Sequence, residues 1–191
     1  MFGGGTQGNG YQWPWALDVD EQGRTYLGGL TTSTDLARNC GGTAGSAPAS
    51  SSAAKGNGEG FIARIGTDGK VERICYVSTP DGEEVKDLAI GFVDGREVLY
   101  ATGHTFGSLA GPNAGRSDVW VARYDLDLGV EAVTQFGSDR DERSSLAVTS
   151  AGVYVAGIGY GSVVGDLGAG NIMQQWATRR DLRDLAPLPA E

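Results

Sequence analysis

A short pattern recurs three times in the sequence: a tyrosine followed three residues later by a glycine at the end of a small, apolar segment. A second pattern is shared by residues 61–65 and 120–124. The first of these segments lies after the first copy of the tyrosine–glycine pattern, and the second lies after the second copy. The spacing between copies is roughly 54 to 74 residues, and the longer interval contains an obvious insertion. The chain is therefore built from repeats. The three copies are Tyr26-Leu27-Gly28-Gly29, Tyr100-Ala101-Thr102-Gly103 and Tyr154-Val155-Ala156-Gly157.

One stretch, residues 118–161, shows the local pattern most clearly. Apolar runs rich in β-branched and aromatic residues occupy 119–124, 130–136, 145–149 and 153–157, and short turn sequences separate them. Strands joined by short turns indicate an antiparallel meander. Four strands per unit of about 50 residues is typical of a propeller blade. We therefore predict an all-β, β-propeller-like array of about three four-stranded antiparallel blades, either a partial propeller or one half of an oligomeric ring.

Residues 16–29, ALDVDEQGRTYLGG, carry a family resemblance. Together with 118–124 and the ending Gln135-Phe136-Gly137, they resemble the SBBP β-propeller repeat of bacterial secreted and surface proteins. The resemblance implies a propeller fold and an extracellular, cell-surface or periplasmic location. It does not imply a particular activity.

The repeats divide the chain into four parts. Residues 1–15 form the end of a preceding repeat and a lead-in loop, 16–87 the first blade, 88–143 the second, and 144–191 the third with an irregular C-terminal tail. The first blade contains a long loop, 32–59, whose Gly/Ser/Ala-rich part predicts a mobile segment at 43–57. Pro187 and Pro189 disfavour a regular outer strand in the third blade.

Composition limits the partners and the compartment. A formal net charge of −9 argues against nucleic acid or an anionic membrane as the partner. No apolar run approaches the ~20 residues of a membrane-spanning helix, and the N-terminus does not resemble a signal peptide. The two cysteines, Cys40 and Cys75, either form one disulfide or are two unrelated thiols.

The loops on one face of the predicted array contain the candidate binding residues. Tyr11, Trp13 and Trp15 either stack on a sugar or peptide, or fill the gap between blades. His104, the single histidine, ends a strand on that face. The charged segment that contains Asp139, Arg140 and Asp141 is interpreted as a self-neutralising turn, as is the pair Glu83-Glu84.

Complete catalytic sets are absent from the sequence. We therefore predict that the protein is not an enzyme but a non-catalytic module for protein or glycan interaction and assembly. The alternative is a hydrolase or lyase that uses His104 with loop carboxylates. No cofactor is predicted, and two Asp-rich turns, 18–23 and 125–129, only faintly resemble calcium loops, which leaves structural calcium as a second interpretation.

Three blades are fewer than the four to eight that close a propeller. The first and last blades would then leave apolar faces in water. We expect a protein partner or a second copy to cover them, as in a homodimer or a subunit of a larger complex, with no insertion into a membrane.

Overall fold

The computed structural model describes residues 10–40, 49–51, 53–55, 58–161, 163 and 173–189. Residues 1–9 of the predicted lead-in segment and the loop residues 164–170 lie outside this described part. The described residues form eleven strands and no helix, which confirms the all-β prediction. Accordingly, no described segment is a helix that spans a membrane. The strands are β1 Gln12–Val19, β2 Thr25–Thr31, β3 Glu59–Ile65, β4 Val71–Val77, β5 Glu83–Val93, β6 Arg96–Thr105, β7 Asp118–Tyr124, β8 Val130–Phe136, β9 Glu142–Thr149, β10 Gly152–Gly159 and β11 Gln174–Arg180.

The strands form three antiparallel sheets in chain order. We call β1–β4 blade 1, β5–β8 blade 2 and β9–β11 blade 3. Within each blade every strand pairs with the next one along the chain, so β1, β5 and β9 are equivalent first strands. Blade 3 has three strands among the described residues, and beyond β11 only an isolated bridge joins Arg180 to Pro187. The architecture is a propeller-like array, as predicted.

The glycine of the repeated pattern occupies the same position in every blade. Gly103 and Gly157 in the second strands pair with Trp120 and Trp176 in the third strands. A Cβ atom at either glycine would collide with a carbonyl oxygen of the first strand and would lie within 3.0 Å of the tryptophan ring. The repeat therefore conserves a close approach of backbone to backbone, which only glycine permits.

Apolar side chains pack between successive blades. One cluster joins blades 1 and 2 and includes Tyr26, Val85 and Trp120, and another joins blades 2 and 3 around Tyr100 and Trp176. Trp176 is buried against Phe136, with ring centroids 5.9 Å apart. Apolar contacts thus join each blade to the next.

The outer face of blade 1 is covered by its own long loop. Leu36 packs there with Phe61 and Tyr76. Cys40 and Cys75 form a disulfide with Cα atoms 5.1 Å apart, which confirms one of the two interpretations of this pair. Much of the segment 43–57 that we predicted to be mobile lies outside the described residues, and the described Ala49 is buried.

The first strand of each blade begins earlier than the sequence pattern suggested. The apolar runs predicted starts near residues 16, 88 and 146, but β1, β5 and β9 begin at 12, 83 and 142. The added residues include Trp13, Glu84 and Arg143, which we had assigned to loops. The cause is that each strand begins with a polar residue, namely Gln12, Glu83 and Glu142. Because these residues are not apolar, a search for apolar runs does not include them.

Candidate active site

Two of these opening residues, Glu83 and Glu142, have the same local structure. Each carboxylate accepts hydrogen bonds from a residue four positions earlier. Thr79 donates its hydroxyl and, at 2.5 Å, its N–H to Glu83; Ser138 donates its hydroxyl and, at 3.2 Å, its N–H to Glu142. Both glutamates are 1% exposed. The shared geometry shows that a buried glutamate at the start of the first strand is a structural element of the repeat.

The surroundings of the two glutamates differ at two positions. Thr105 lies opposite Glu83 and donates its hydroxyl at 2.8 Å, but the residue opposite Glu142 is Gly159. Similarly, Ser78 follows the last strand of blade 1, whereas Gly137 follows the last strand of blade 2. The hydroxyl of Thr105 that contacts Glu83 therefore has no counterpart at the paired position beside Glu142.

A pocket opens at this place between blades 2 and 3. Its volume is about 430 Å³. Both polar side chains and partly exposed apolar side chains line it. It lies on the face where the long inter-strand loops emerge, as we expected for a binding site. The lining residues are His104, Phe106, Ser117, Asp141, Glu142, Arg143, Ile158, Gly159, Tyr160 and Met173.

Burial raises the pKa of Glu142 to about 7, although the hydrogen bonds from Ser138 oppose the shift. The neighbouring carboxylates of Asp118 and Asp141 raise this pKa further. Glu142 Oε2 and Asp118 Oδ1 are both buried without a hydrogen-bond partner among the described residues, and both face the space that a Cβ at Gly137 would fill. Near neutral pH, Glu142 therefore holds a proton in a large fraction of molecules.

His104 lines the opposite side of the pocket and is oriented by Glu84. The two side chains pair across β5 and β6, and Nε2 of His104 lies 3.0 Å from Glu84 Oε2. Burial alone would raise the pKa of Glu84, but hydrogen bonds from His104 and Lys86 outweigh it and lower that pKa to about 2. An ionised Glu84 accepts the Nε2 proton of His104. The Nδ1 atom of His104 is buried and has no hydrogen-bond partner in the described part of the chain.

The residues predicted from sequence are distributed over three places. His104 and Asp141 line the pocket, and Arg140 lines an adjoining cavity of about 240 Å³. Asp139 is exposed on the turn before β9. The aromatic residues lie outside the pocket: Tyr11 stacks on Trp13 with centroids 5.4 Å apart, and the Lys86 ammonium lies 3.4 Å from the centre of the Trp15 ring. All three of these rings are exposed.

Sequence reasoning missed Glu142, which has the most strongly altered chemistry in the pocket, because we interpreted its charged segment as a neutralising turn. A usable signal was present: a serine or threonine stands four residues before a glutamate in 79–83 and again in 138–142, at equivalent points of two repeats. A hydroxyl at that spacing is suited to hold a carboxylate.

The two Asp-rich turns are held by hydrogen bonds within each turn. Asp125 accepts the N–H groups of Asp127 and Gly129 at 2.9 and 2.7 Å, and Asp20 similarly accepts those of Gln22 and Arg24. Such bonds are typical of Asx turns. Within the described residues, no group of three or more metal-ligating side chains comes together. Structural calcium at these turns stays an untested prediction.

Comparisons with known proteins give two distant structural matches. No family model and no curated protein matches the chain. Among solved structures, two mutants of B. megaterium levansucrase resemble this chain. One has a TM-score of 0.44 and 11% identity, covering 94% of this chain and 54% of that chain. The other has a TM-score of 0.45 and 15% identity, covering 92% and 48%. The chain spans about half the length of these structures, and the likeness concerns the propeller-like fold alone.

These findings correct the main functional prediction. We expected a non-catalytic module, with a hydrolase or lyase that uses His104 and loop carboxylates as the alternative, but both matched structures are of levansucrase. The interpretation of 139–143 as a merely self-neutralising turn is also wrong for Glu142, which is buried in the pocket.

Proposed function

We propose that the protein is a hydrolase that cleaves glycosidic bonds in the pocket between blades 2 and 3, with Glu142 as the general acid. The observation that carries the proposal is the comparison of the two equivalent glutamates. Glu83 accepts a hydrogen bond from Thr105, whereas Glu142, which is equally buried, has Gly159 at that register position and lines a pocket. The same structural element thus borders a pocket at the junction of blades 2 and 3.

The protonation state of Glu142 suits this role. A general acid is most effective when its pKa is close to the working pH, and burial raises the pKa of Glu142 to about 7. Glycosidases use a protonated carboxyl group to give a proton to the leaving oxygen, together with a second, ionised carboxylate. Asp141, which lines the pocket and is more exposed, supplies that second group.

Hydrolysis through a side-chain nucleophile has weaker support. The described chain has no free cysteine, since Cys40 and Cys75 are bonded to each other. His104 Nε2 is engaged by Glu84, and the Ser117 hydroxyl accepts the N–H of Glu142 at 3.3 Å. These contacts do not form the nucleophile–base pair that a serine or cysteine hydrolase needs.

The proposed reaction proceeds with these groups as follows. Glu142 transfers its proton to the glycosidic oxygen as the bond from that oxygen to the anomeric carbon breaks. A water molecule adds to the anomeric carbon and gives a proton to Asp141. A proton then passes through solvent from Asp141 to Glu142, which restores the starting state. Phe106 and Tyr160, which are exposed, pack against the sugar ring.

Three further parts of the proposal depend on less direct support. The disulfide supports an extracellular location. Membership of the SBBP repeat family is supported by the residues 16–29 quoted above. A partner protein or a second copy is proposed to cover the outer face of blade 3, where Tyr154 and Ile158 are exposed.

The test is the release of reducing sugar from a panel of neutral and acidic oligosaccharides. Glu142→Gln keeps the size of the side chain but removes the acid, and we expect kcat to fall by about 100-fold or more. The matched control is Glu83→Gln, which changes the equivalent glutamate outside the pocket and leaves kcat within about threefold. If no oligosaccharide is cleaved, or if both variants lose activity equally, the proposal is wrong.

A further inference from the structure

Three arginines, Arg116, Arg140 and Arg143, surround the pocket that contains Glu142. Arg143 lines the pocket itself, and Arg116 and Arg140 line the adjoining cavity. The two cavities share Asp141 and Tyr160, so the arginines form one continuous rim. Such a cluster stands out in a chain whose formal net charge is −9.

The rim arginines are weakly engaged by the protein. Arg143 is exposed and makes no hydrogen bond or ion pair among the described residues. Arg116 and Arg140 approach Asp141 and Asp139 only at 3.7 and 3.9 Å, and their side chains are 75% and 47% exposed. By contrast, other arginines bond carboxylates at 2.5 to 3.0 Å: Arg24, Arg64, Arg96, Arg123 and Arg183. The rim therefore retains guanidinium donors that the fold does not use.

The repeat shows that the charge at this rim has been reversed. Arg143 follows Glu142 in β9 exactly as Glu84 follows Glu83 in β5, and both pair with the second strand, at Ile158 and His104 respectively. In blade 2 this position holds an anion that binds His104. In blade 3 it holds a cation that points to no protein partner among the described residues.

We infer that the substrate is an acidic saccharide, with an anionic group that this arginine rim binds while Glu142 acts on the adjacent glycosidic bond. The inference rests on the proposed function and adds the chemical class of the substrate. A planar guanidinium matches a carboxylate or a sulfate through paired hydrogen bonds. The negative protein as a whole repels anions, so the exposed guanidinium groups of this rim are the donors that an anionic ligand would meet at the pocket.

Binding to Glu142→Gln protein tests the inference without turnover. The probes are trigalacturonate, its fully methyl-esterified form, which has the same rings without charge, and a sulfated galactose trisaccharide. We expect trigalacturonate to bind at least tenfold more tightly than the ester, with an advantage that shrinks as salt rises. Tighter binding of the sulfated sugar than of trigalacturonate would assign the rim to sulfate instead of carboxylate.

Two further variants, each added to the Glu142→Gln protein, locate the effect. Arg143→Gln should weaken binding of the anionic probe at least tenfold and leave binding of the ester unchanged. Arg96→Gln, at the far end of β6 from His104, is the control and should change neither. Equal affinity for acid and ester, no loss in Arg143→Gln, or no binding of any probe would overturn the inference. Hydrolysis of neutral sugars alone would overturn it and leave the proposed glycosidase intact. Salt-sensitive binding of trigalacturonate to a protein that hydrolyses nothing would instead refute the glycosidase and keep the anionic rim.

Discussion

Glu142 lies opposite Gly159 at the same register position where Glu83 lies opposite Thr105. The hydroxyl of Thr105 hydrogen-bonds to Glu83, and the glycine offers Glu142 no such donor. Burial raises the pKa of both glutamates, but Glu83 completes a buried hydrogen-bond network with Thr79 and Thr105, whereas Glu142 lines a pocket. An internal repeat thus provides its own control, because the structural role of the glutamate is visible in blade 2.

The substitution Gly159→Thr should make the surroundings of Glu142 resemble those of Glu83. A threonine would restore a hydroxyl donor beside Glu142, which favours the ionised carboxylate and lowers the pKa of Glu142. A Cβ there would lie 3.1 Å from Glu142 Cγ, a tight contact that a small shift relieves. We expect the alkaline fall of kcat/KM to move to lower pH and activity at pH 7 to drop about tenfold. Thr105→Gly is the control and should leave the pH profile of activity unchanged, whereas an unchanged profile in Gly159→Thr would contradict the account.

The stability of the fold should depend on pH through Glu142. Its pKa is raised from 4.5 in the unfolded chain to about 7 in the folded protein, so the folded state binds more protons between these values. The free energy of unfolding therefore falls as pH rises from about 4.5 to 7, by about 3 kcal/mol from this group. Urea denaturation at several pH values measures it, and Glu142→Gln should lack this component. A constant difference between wild type and variant across the range would refute it.

The disulfide between Cys40 and Cys75 should stabilise the protein mainly by restricting the unfolded chain. It closes a loop with a sequence separation of 35, which corresponds to roughly 3–4 kcal/mol in the chain-entropy model. We expect the double variant Cys40→Ser/Cys75→Ser to lose about this much in urea denaturation. Reductant should destabilise wild type to a similar extent and leave the variant unaffected. Equal stability of the two proteins without reductant would be the opposite result.

The hydroxyl of Tyr124 should contribute to the stability of the fold. The ring is buried, burial raises the pKa of the hydroxyl, and the hydroxyl donates to the Ala49 carbonyl oxygen at 2.9 Å, tying the long loop of blade 1 to blade 2. Tyr124→Phe leaves that carbonyl without its donor, and we expect a loss of about 1–2 kcal/mol in the free energy of unfolding. Tyr154→Phe is the matched control on an exposed tyrosine and should be neutral. Equal effects in the two variants would argue against the contact.

Much of the fold was predictable because its signals are local. Alternating and β-branched runs gave the second and third strands of the blades, and Asp94-Gly95 predicted the turn between β5 and β6. The structure places these two residues at φ of 53° and 77°, as a two-residue hairpin requires. The first strands were missed at their starts because Gln12, Glu83 and Glu142 are polar and are held there by hydrogen bonds to residues two or four positions earlier.

The site was less predictable because it depends on two positions that lack a side chain and that are distant from each other in sequence. Gly137 and Gly159 lie 22 positions apart in sequence, and neither is unusual in a glycine-rich chain. The register of β9 with β10 places Gly159 opposite Glu142, and only the three-dimensional structure shows that Gly137 also leaves space beside this side chain. His104 was recognised as a candidate because it is the only histidine, but its partner Glu84 followed only from the pairing of β5 with β6.

The pKa of Glu142 itself tests the central claim most directly and needs no substrate. Carboxyl ¹³C resonances of glutamate-labelled protein are followed from pH 3 to 9, with Glu142→Gln assigning the signal. We predict a titration midpoint of about 7 for this carboxyl. A midpoint near the ordinary value of 4.5 would show that Glu142 is ionised at neutral pH, and the account of it as a general acid would be contradicted.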